Sequence, residues 1–321
     1  MIHGHIIRRN KIYKMKKLLL YFFLSCAPLL ANAQKPILPD FHADPSIHFW
    51  DGKFWLYPST DEPNSTSWKQ MCRWSCYSSE DLVHWKDEGQ IFDLDHISWA
   101  SEAAFAPDAM KWQGKYYYYF PAGFKIGVAV SDKPNGPFKD ALGHPLIENR
   151  ELKSVNTFDP CIFIDEDHTP YLYYGGGGGC AVTRLGNDMI SRVGKLHQLE
   201  LPHYAEGIWV YMHDGVYYFT YPTHIHRNGK VNQLLVYCTA PGPMGPFTYH
   251  GAFLDNHSRN SHHSIIEVDG KSYLFYHVEG TSGYDRRVCV DRLYYRKDGT
   301  IKPVKMTKKG IKPIHLKKSP L

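Results

Sequence analysis

ADPSIHFWDGKFWLYPS, residues 43–59, decides the fold. An apolar run alternating with period two reaches Asp51-Gly52, a dipeptide favoured in two-residue hairpin turns because both positions accept positive φ, and an aromatic run follows. The same grammar returns four times, as APDAMKWQGKYYYYFPA (106–122), DPCIFIDEDHTPYLYYG (159–175), EGIWVYMHDGVYYFTYP (206–222) and HSIIEVDGKSYLFYHV (263–278). Its turns fall at Gly52, Gly114, Asp167, Gly215 and Gly270, at intervals of roughly 50–60 residues, which leaves room for about four short strands and their loops. A hairpin repeated five times at that period is what radial repetition of blades requires. A β-sandwich or β-helix explains strands but not the five-fold recurrence.

Between the hairpins lie further strand and turn signals, including two Gly-Pro-Phe turns at 136–138 and 245–247 that occupy the same place in the second and fourth units. No run of helical period extends beyond about three turns. The sequence therefore predicts an all-β chain, a five-bladed β-propeller forming a single domain over 34–321.

Residues 1–33 read differently. They carry six basic residues (Arg8, Arg9, Lys11, Lys14, Lys16, Lys17) and no acidic one, so the excess of 37 Lys+Arg over 32 Asp+Glu vanishes when they are set aside. A near-neutral remainder offers no basic footprint for nucleic acid. Lys16-Lys17, the apolar run Leu18 to Cys26 and Ala31-Asn32-Ala33 form the three regions of a secretory signal, too short to span a membrane. Met15 is the natural start of that signal, which makes 1–14 an upstream extension. Lipoprotein processing at Cys26 is disfavoured by Phe23-Leu24-Ser25 before it and Pro28 after it. The expected product is exported, periplasmic or extracellular, and monomeric. Of its six remaining cysteines, Cys72 and Cys76 are the nearest candidates to pair, and none has zinc-site spacing.

The first strand of a propeller blade lines the central channel, so one phase of the repeat converges on the axis. Counting back eight residues from each turn (nine in the fourth unit) gives Asp44, Ala106, Asp159, Glu206 and His262. Three carboxylates facing one cavity, with no Lys or Arg in register, are unfavourable through repulsion and desolvation unless they serve a purpose. Two carboxylates of unequal pKa flanking a glycosidic bond are what hydrolysis needs: a protonated one donates to the leaving oxygen and an ionised one activates water. A third beside the acid raises its pKa by repulsion.

The ordered set His42-Ala43-Asp44-Pro45-Ser46, Phe105-Ala106-Pro107-Asp108, Phe158-Asp159-Pro160, Tyr204-Ala205-Glu206-Gly207 and His262-His263-Ser264 resembles glycoside hydrolase family 43, over nearly all of the chain from about 36 to 305. That resemblance implies five-bladed enzymes acting on arabinose- and xylose-containing polysaccharides with inversion. Asp44 would be the general base, Glu206 the general acid and Asp159 the residue that tunes the acid, with base and acid roughly 6.5–9.5 Å apart to admit a water. It also implies that Arg286 or Arg287 reaches toward the active site, and that His262 helps hold a calcium ion or water cluster on the axis. No cofactor is expected for the chemistry. Phe105 stands where tryptophan is common in the family, Ser261 where glycine is common, and Ile208-Trp209 follow Glu206-Gly207 where proline is usual.

Trp68, Trp74 and Trp99, between blades, have flat faces that could stack on a sugar. We expect one at most to do so, and carry Trp74 and Trp99 forward as substrate-binding candidates. The expected activity is β-D-xylosidase or α-L-arabinofuranosidase. Alternatives are an endo-acting arabinanase or xylanase, an exo-galactosidase, and a carbohydrate-binding propeller without catalysis. A retaining, fructan-type propeller would need an asparagine where Ala43 stands.

Overall fold

The computed structural model describes residues 34–316 apart from 63, so the leader and its cleavage pattern lie outside the described residues. Blade one is β1 (His42–Trp50), β2 (Lys53–Thr60), β3 (Arg73–Ser79) and β4 (Trp85–Asp93); blade two is β5 (Asp108–Trp112), β6 (Lys115–Ala122), β7 (Lys125–Ser131) and β8 (Lys139–Asp140). Blade three is β9 (Cys161–Ile164), β10 (Pro170–Gly176), β11 (Gly179–Leu185) and β12 (Arg192–Leu199), and blade four is β13 (Trp209–His213), β14 (Val216–Arg227), β15 (Lys230–Ala240) and β16 (Thr248–Leu254). The fifth has three strands, β17 (His263–Val268), β18 (Lys271–Val278) and β19 (Arg287–Leu293). Each blade is an antiparallel meander, and the first strands touch in a closed cycle, β1 to β5 to β9 to β13 to β17 and back to β1. The five-bladed propeller expected from the repeat is the fold.

The hairpin turns form for the reason their sequence gives. Asp51-Gly52, Gln113-Gly114, Asp214-Gly215 and Asp269-Gly270 all have positive φ at both positions, between 48° and 79°, the geometry whose twist matches two-stranded ribbons. The aromatic runs after them are explained by burial on both faces. Tyr116 and Tyr118 pack between blades one and two, while Tyr117 and Tyr119 point the opposite way, between blades two and three. The second strand of a blade is covered on both faces, so it is almost continuously buried where a half-exposed strand would alternate. Each such ring contributes roughly 2–3 kcal/mol of burial.

Near the axis the inner strands are pinned by Asp108. One of its carboxylate oxygens accepts from Ser46 Oγ (2.6 Å) and contacts His48 Nε2 (2.8 Å); the other accepts from the Ile162 amide (2.6 Å), so blades one, two and three meet at one buried side chain. Asp108→Ala is expected to lower stability by about 3–5 kcal/mol, because it strands buried donors from three strands. A drop in the urea midpoint checks this. The folded fraction should keep its specific activity, because Asp108 does not line the cleft described below.

The ring closes through chain segments far apart in sequence. The Ile37 amide donates to the Val288 carbonyl and the His42 amide to the Arg286 carbonyl, both at 2.9 Å, which lays the segment before β1 along the outer edge of β19. Blade one is thereby stapled to blade five. Cys72 and Cys76 do not pair: Cys76 is buried in β3 and Cys72 is exposed just before it. Four residues along an extended strand span roughly 13 Å, beyond disulfide reach.

Candidate active site

Asp44, Ala106 and Asp159 share a backbone kink. Their φ values are 48°, 25° and 53°, in the left-handed region that aspartate enters at small energetic cost. The kink falls where the chain enters the inner strand: inside β1 at a register shift, and two residues ahead of β5 and of β9. Glu206 and His262 lie three and one residues ahead of β13 and β17. The shared phase predicted from the repeat is therefore real, but it gathers these side chains at one mouth of the channel and not along its length.

There Asp44, Asp159, Glu206 and His262 line a cleft of about 480 Å³ with Arg286, while Ala106 is buried outside it. Asp44 is buried and densely bound. One oxygen accepts from Ser59 Oγ (2.5 Å); the other accepts from Arg286 Nη1 (3.0 Å) and lies 3.6 Å from His262 Nδ1. Burial works against its charge, yet Arg286 and His262 outweigh burial and hold the carboxyl well below the usual carboxylate range. Arg286 is itself anchored by a two-point contact to Asp61, Nη2 at 2.7 Å and Nε at 3.0 Å. Counter-charge is thus present, supplied from outside the repeat phase by Arg286 and from within it by His262.

Asp159 has the opposite character. Burial, reinforced by the charges of Glu206 and Asp44, pushes it well above the usual range despite the opposing pull of His262. Asp159 is thus a carboxyl of this cleft that its surroundings raise. Glu206 accepts through Oε1 from Gln233 Nε2 (2.9 Å) and Asn260 Nδ2 (2.5 Å). His277 is neutral and of fixed tautomer: Nδ1 accepts the Asp44 amide at 3.1 Å and Nε2 donates to the Asn260 carbonyl at 2.8 Å. Burial and Arg286 push its pKa down, consistent with that pattern.

Opposite the polar wall stands an aromatic one. Trp68 meets Phe105 edge-on at 5.6 Å and Phe124 at 5.1 Å, and Phe158 continues the wall. Trp68 sits on a single 3-10 turn, Trp68–Gln70, fixed by a capping box between Ser67 and Gln70. Of the three tryptophans, then, the one facing the cleft is Trp68. Trp74 is fully buried, stacked on Phe92, with its indole N–H on the Phe105 carbonyl. Trp99 stacks on Phe120 and donates to Asp140. Both are packing residues and do not line the cleft. Nor does Arg287: one residue past Arg286 it emerges on the other side of the strand, over the Phe41 ring and near the Pro39 carbonyl.

Ser59, Asp61, Gln233, Asn260 and His277 escaped sequence reasoning. For two of them a signal exists: seven residues past the turn glycine, Ser59 and His277 stand where blades two and four carry Pro121 and Pro222. His262, expected to help hold a calcium ion or a water cluster, lies among carboxylates: burial would lower its pKa, but Asp159, Asp44 and Glu206 raise it. No group of three or more His, Cys, Asp or Glu side chains among the described residues is arranged to hold a metal, whereas calcium takes six to eight oxygens.

The chain matches the family model for glycosyl hydrolases family 43 over residues 33–301. The chain belongs to glycoside hydrolase family 43. Among its family 43 relatives are a xylosidase/arabinosidase of Bacteroides ovatus, 32% identical over 82% of this chain and 94% of its own, and a β-D-galactofuranosidase of Aspergillus niger, 30% identical over 87% of each. The solved α-L-arabinofuranosidase of Clostridium thermocellum superposes with a TM-score of 0.73 at 35% identity, covering 84% of this chain and 95% of that one. Membership makes the protein a glycoside hydrolase, of a family that inverts the anomeric centre and needs no cofactor for its chemistry. No helix among the described residues is long and apolar enough to cross a membrane.

Proposed function

We propose that this chain is an exported, monomeric, inverting glycosidase that releases terminal pentose units, as an α-L-arabinofuranosidase or β-D-xylosidase. The observation that carries the reading is the convergence of Asp44, Asp159 and Glu206 on one cleft with an aromatic wall opposite. In the mechanism Asp44, kept ionised by Arg286, takes a proton from a water that attacks the anomeric carbon. Glu206 gives its proton to the glycosidic oxygen as the C–O bond breaks. Asp159 sits beside the acid, and its raised carboxyl keeps negative charge there from building up.

Inversion is supported by how base and acid are held apart. Asp44 and Glu206 share no hydrogen bond; the Arg286 guanidinium and the Asn260 amide link them in a chain of contacts. A spacer of two side chains suits a pair that must admit a water. Pentose specificity is supported by the relatives' activities and by a cleft of a size for a few sugar rings. Export rests on the leader read from the sequence, and the monomer on a site drawn from one chain.

The test is a hydrolysis screen of residues 34–321 on aryl α-L-arabinofuranoside, β-D-xyloside and β-D-galactoside with arabinan and xylan, following the first-formed anomer by proton NMR. Release of pentose with inverted configuration is expected. A retained anomer would overturn the mechanism, and activity confined to the galactoside or to internal bonds would overturn the specificity.

A further inference from the structure

The two carboxyl oxygens of Glu206 are treated unequally. Oε1 meets two amide donors, Gln233 Nε2 at 2.9 Å and Asn260 Nδ2 at 2.5 Å, whereas Oε2 takes no hydrogen bond from a described residue. Neither amide can be turned end for end. Gln233 Oε1 already accepts the Ser261 backbone N–H at 2.5 Å, so its nitrogen must face Glu206. Asn260 Oδ1 accepts from Arg286 Nη1 at 3.2 Å, and a reversed amide would set an NH2 group against a guanidinium that has no acceptor. Oε1 is thus an acceptor whether Glu206 is charged or neutral.

We propose that Asn260 and Gln233 are positioning residues that confine the transferable proton of Glu206 to Oε2, and that Asn260 also sets the acid's place relative to Asp44 through Arg286. The proposal rests on the reading of Glu206 as the acid. Its chemical content is simple: the proton leaves Oε2 for the glycosidic oxygen, and the carboxylate formed finds two N–H donors already waiting at Oε1. The Asn260 carbonyl is held by His277 and its amide by Glu279 (3.2 Å), so the side chain is aimed from a fixed backbone. Ser261, where the family commonly has glycine, adds a bond from its hydroxyl to Asn256 (2.5 Å) that steadies the same loop.

The charged and titratable groups around Glu206 are Asp159 and His262 beside it, Tyr204 on its own segment, Asp44 and Arg286 beyond Asn260, and Arg259 with Glu279 on the neighbouring loop. None of these donates to Oε1, so the two amides can be varied without removing a charge.

Asn260→Asp is the sharpest test. It keeps the acceptor for Arg286 and the shape of the side chain, but sets an oxygen against Oε1, a contact that only a proton between the two oxygens can satisfy. The proton is drawn to the wrong side. We expect kcat/KM to fall roughly 100-fold on a glycoside with a poor leaving group and less than about 10-fold on an activated aryl glycoside. The alkaline limb of the pH profile should move up by about one unit, since the carboxylate has lost a donor. Gln233→Met removes the other donor at similar length, and should move the limb in the same direction with a smaller loss.

Thermal unfolding confirms that each variant folds, and Gln233→Met reads the same limb if Asn260→Asp does not. Equal losses on both substrates with an unmoved limb would make the amides merely structural and overturn the proposal. Glu206→Gln run in parallel separates the two failures. If it lacks leaving-group dependence the acid assignment falls, and if it has that dependence while the amide variants do not, only the positioning role falls.

Discussion

Asp44→Asn leaves a folded protein whose activity is reduced roughly 10,000-fold on every substrate, whatever the leaving group. Folding survives because asparagine accepts the left-handed φ of 48° as readily as aspartate does. Arg286 meanwhile keeps its two-point contact with Asp61 and is not left as a lone buried charge. What disappears is the only step this side chain performs in the proposed mechanism, taking a proton from the attacking water, and a neutral amide has no affinity for that proton. The loss should sit in kcat, with KM little changed. Rates on aryl and natural glycosides, compared with the unfolding midpoint, check this. Activity surviving within ten-fold of wild type would overturn the assignment of the base.

Glu206→Gln produces a loss that depends on the leaving group. A sugar or other poor leaving group cannot depart as an alkoxide and needs the proton, so turnover falls by roughly 1,000-fold; an activated phenolate leaves unaided, and the loss is under about 10-fold. Gln at this position can still present an oxygen to the Gln233 and Asn260 donors, so the local network holds and the effect is chemical. A plot of log kcat against leaving-group pKa should steepen in the variant. An unchanged slope would show that Glu206 is not the proton donor.

The fold was legible because its repeat is written in turn chemistry. Asp51-Gly52 and its three counterparts announce hairpins whatever surrounds them. The three carboxylates followed from counting, since five copies of one backbone path place equivalent residues at one mouth. The partners of those carboxylates were not legible, for a geometric reason. Arg286 and Arg287 are neighbours in sequence, but opposite sides of a strand separate a buried contact with Asp44 from a surface contact with Phe41. Composition cannot decide that parity. Trp74 and Trp68 differ in the same way: both faces of β3 are covered by neighbouring blades, so Trp74 has no route to solvent, while Trp68 stands on a turn outside the sheets. Gln233, in β15, and Asn260, in the loop between blades four and five, lie 27 residues apart and meet at Glu206, a convergence that single-sequence reading has no means to find.

The seam between the first and last blades gives this enzyme a chronology. Asp44 is made near the beginning of the propeller, but Arg286, which holds its charge, follows 242 residues later, and His277, which receives its amide, follows 233 residues later. A chain emerging from the ribosome can complete four blades and still possess no working base. On the proposed mechanism, the base is complete only where β19 lies beside the segment ahead of β1 and brings the guanidinium to the carboxylate. Hydrolysis would then report that the circle has shut.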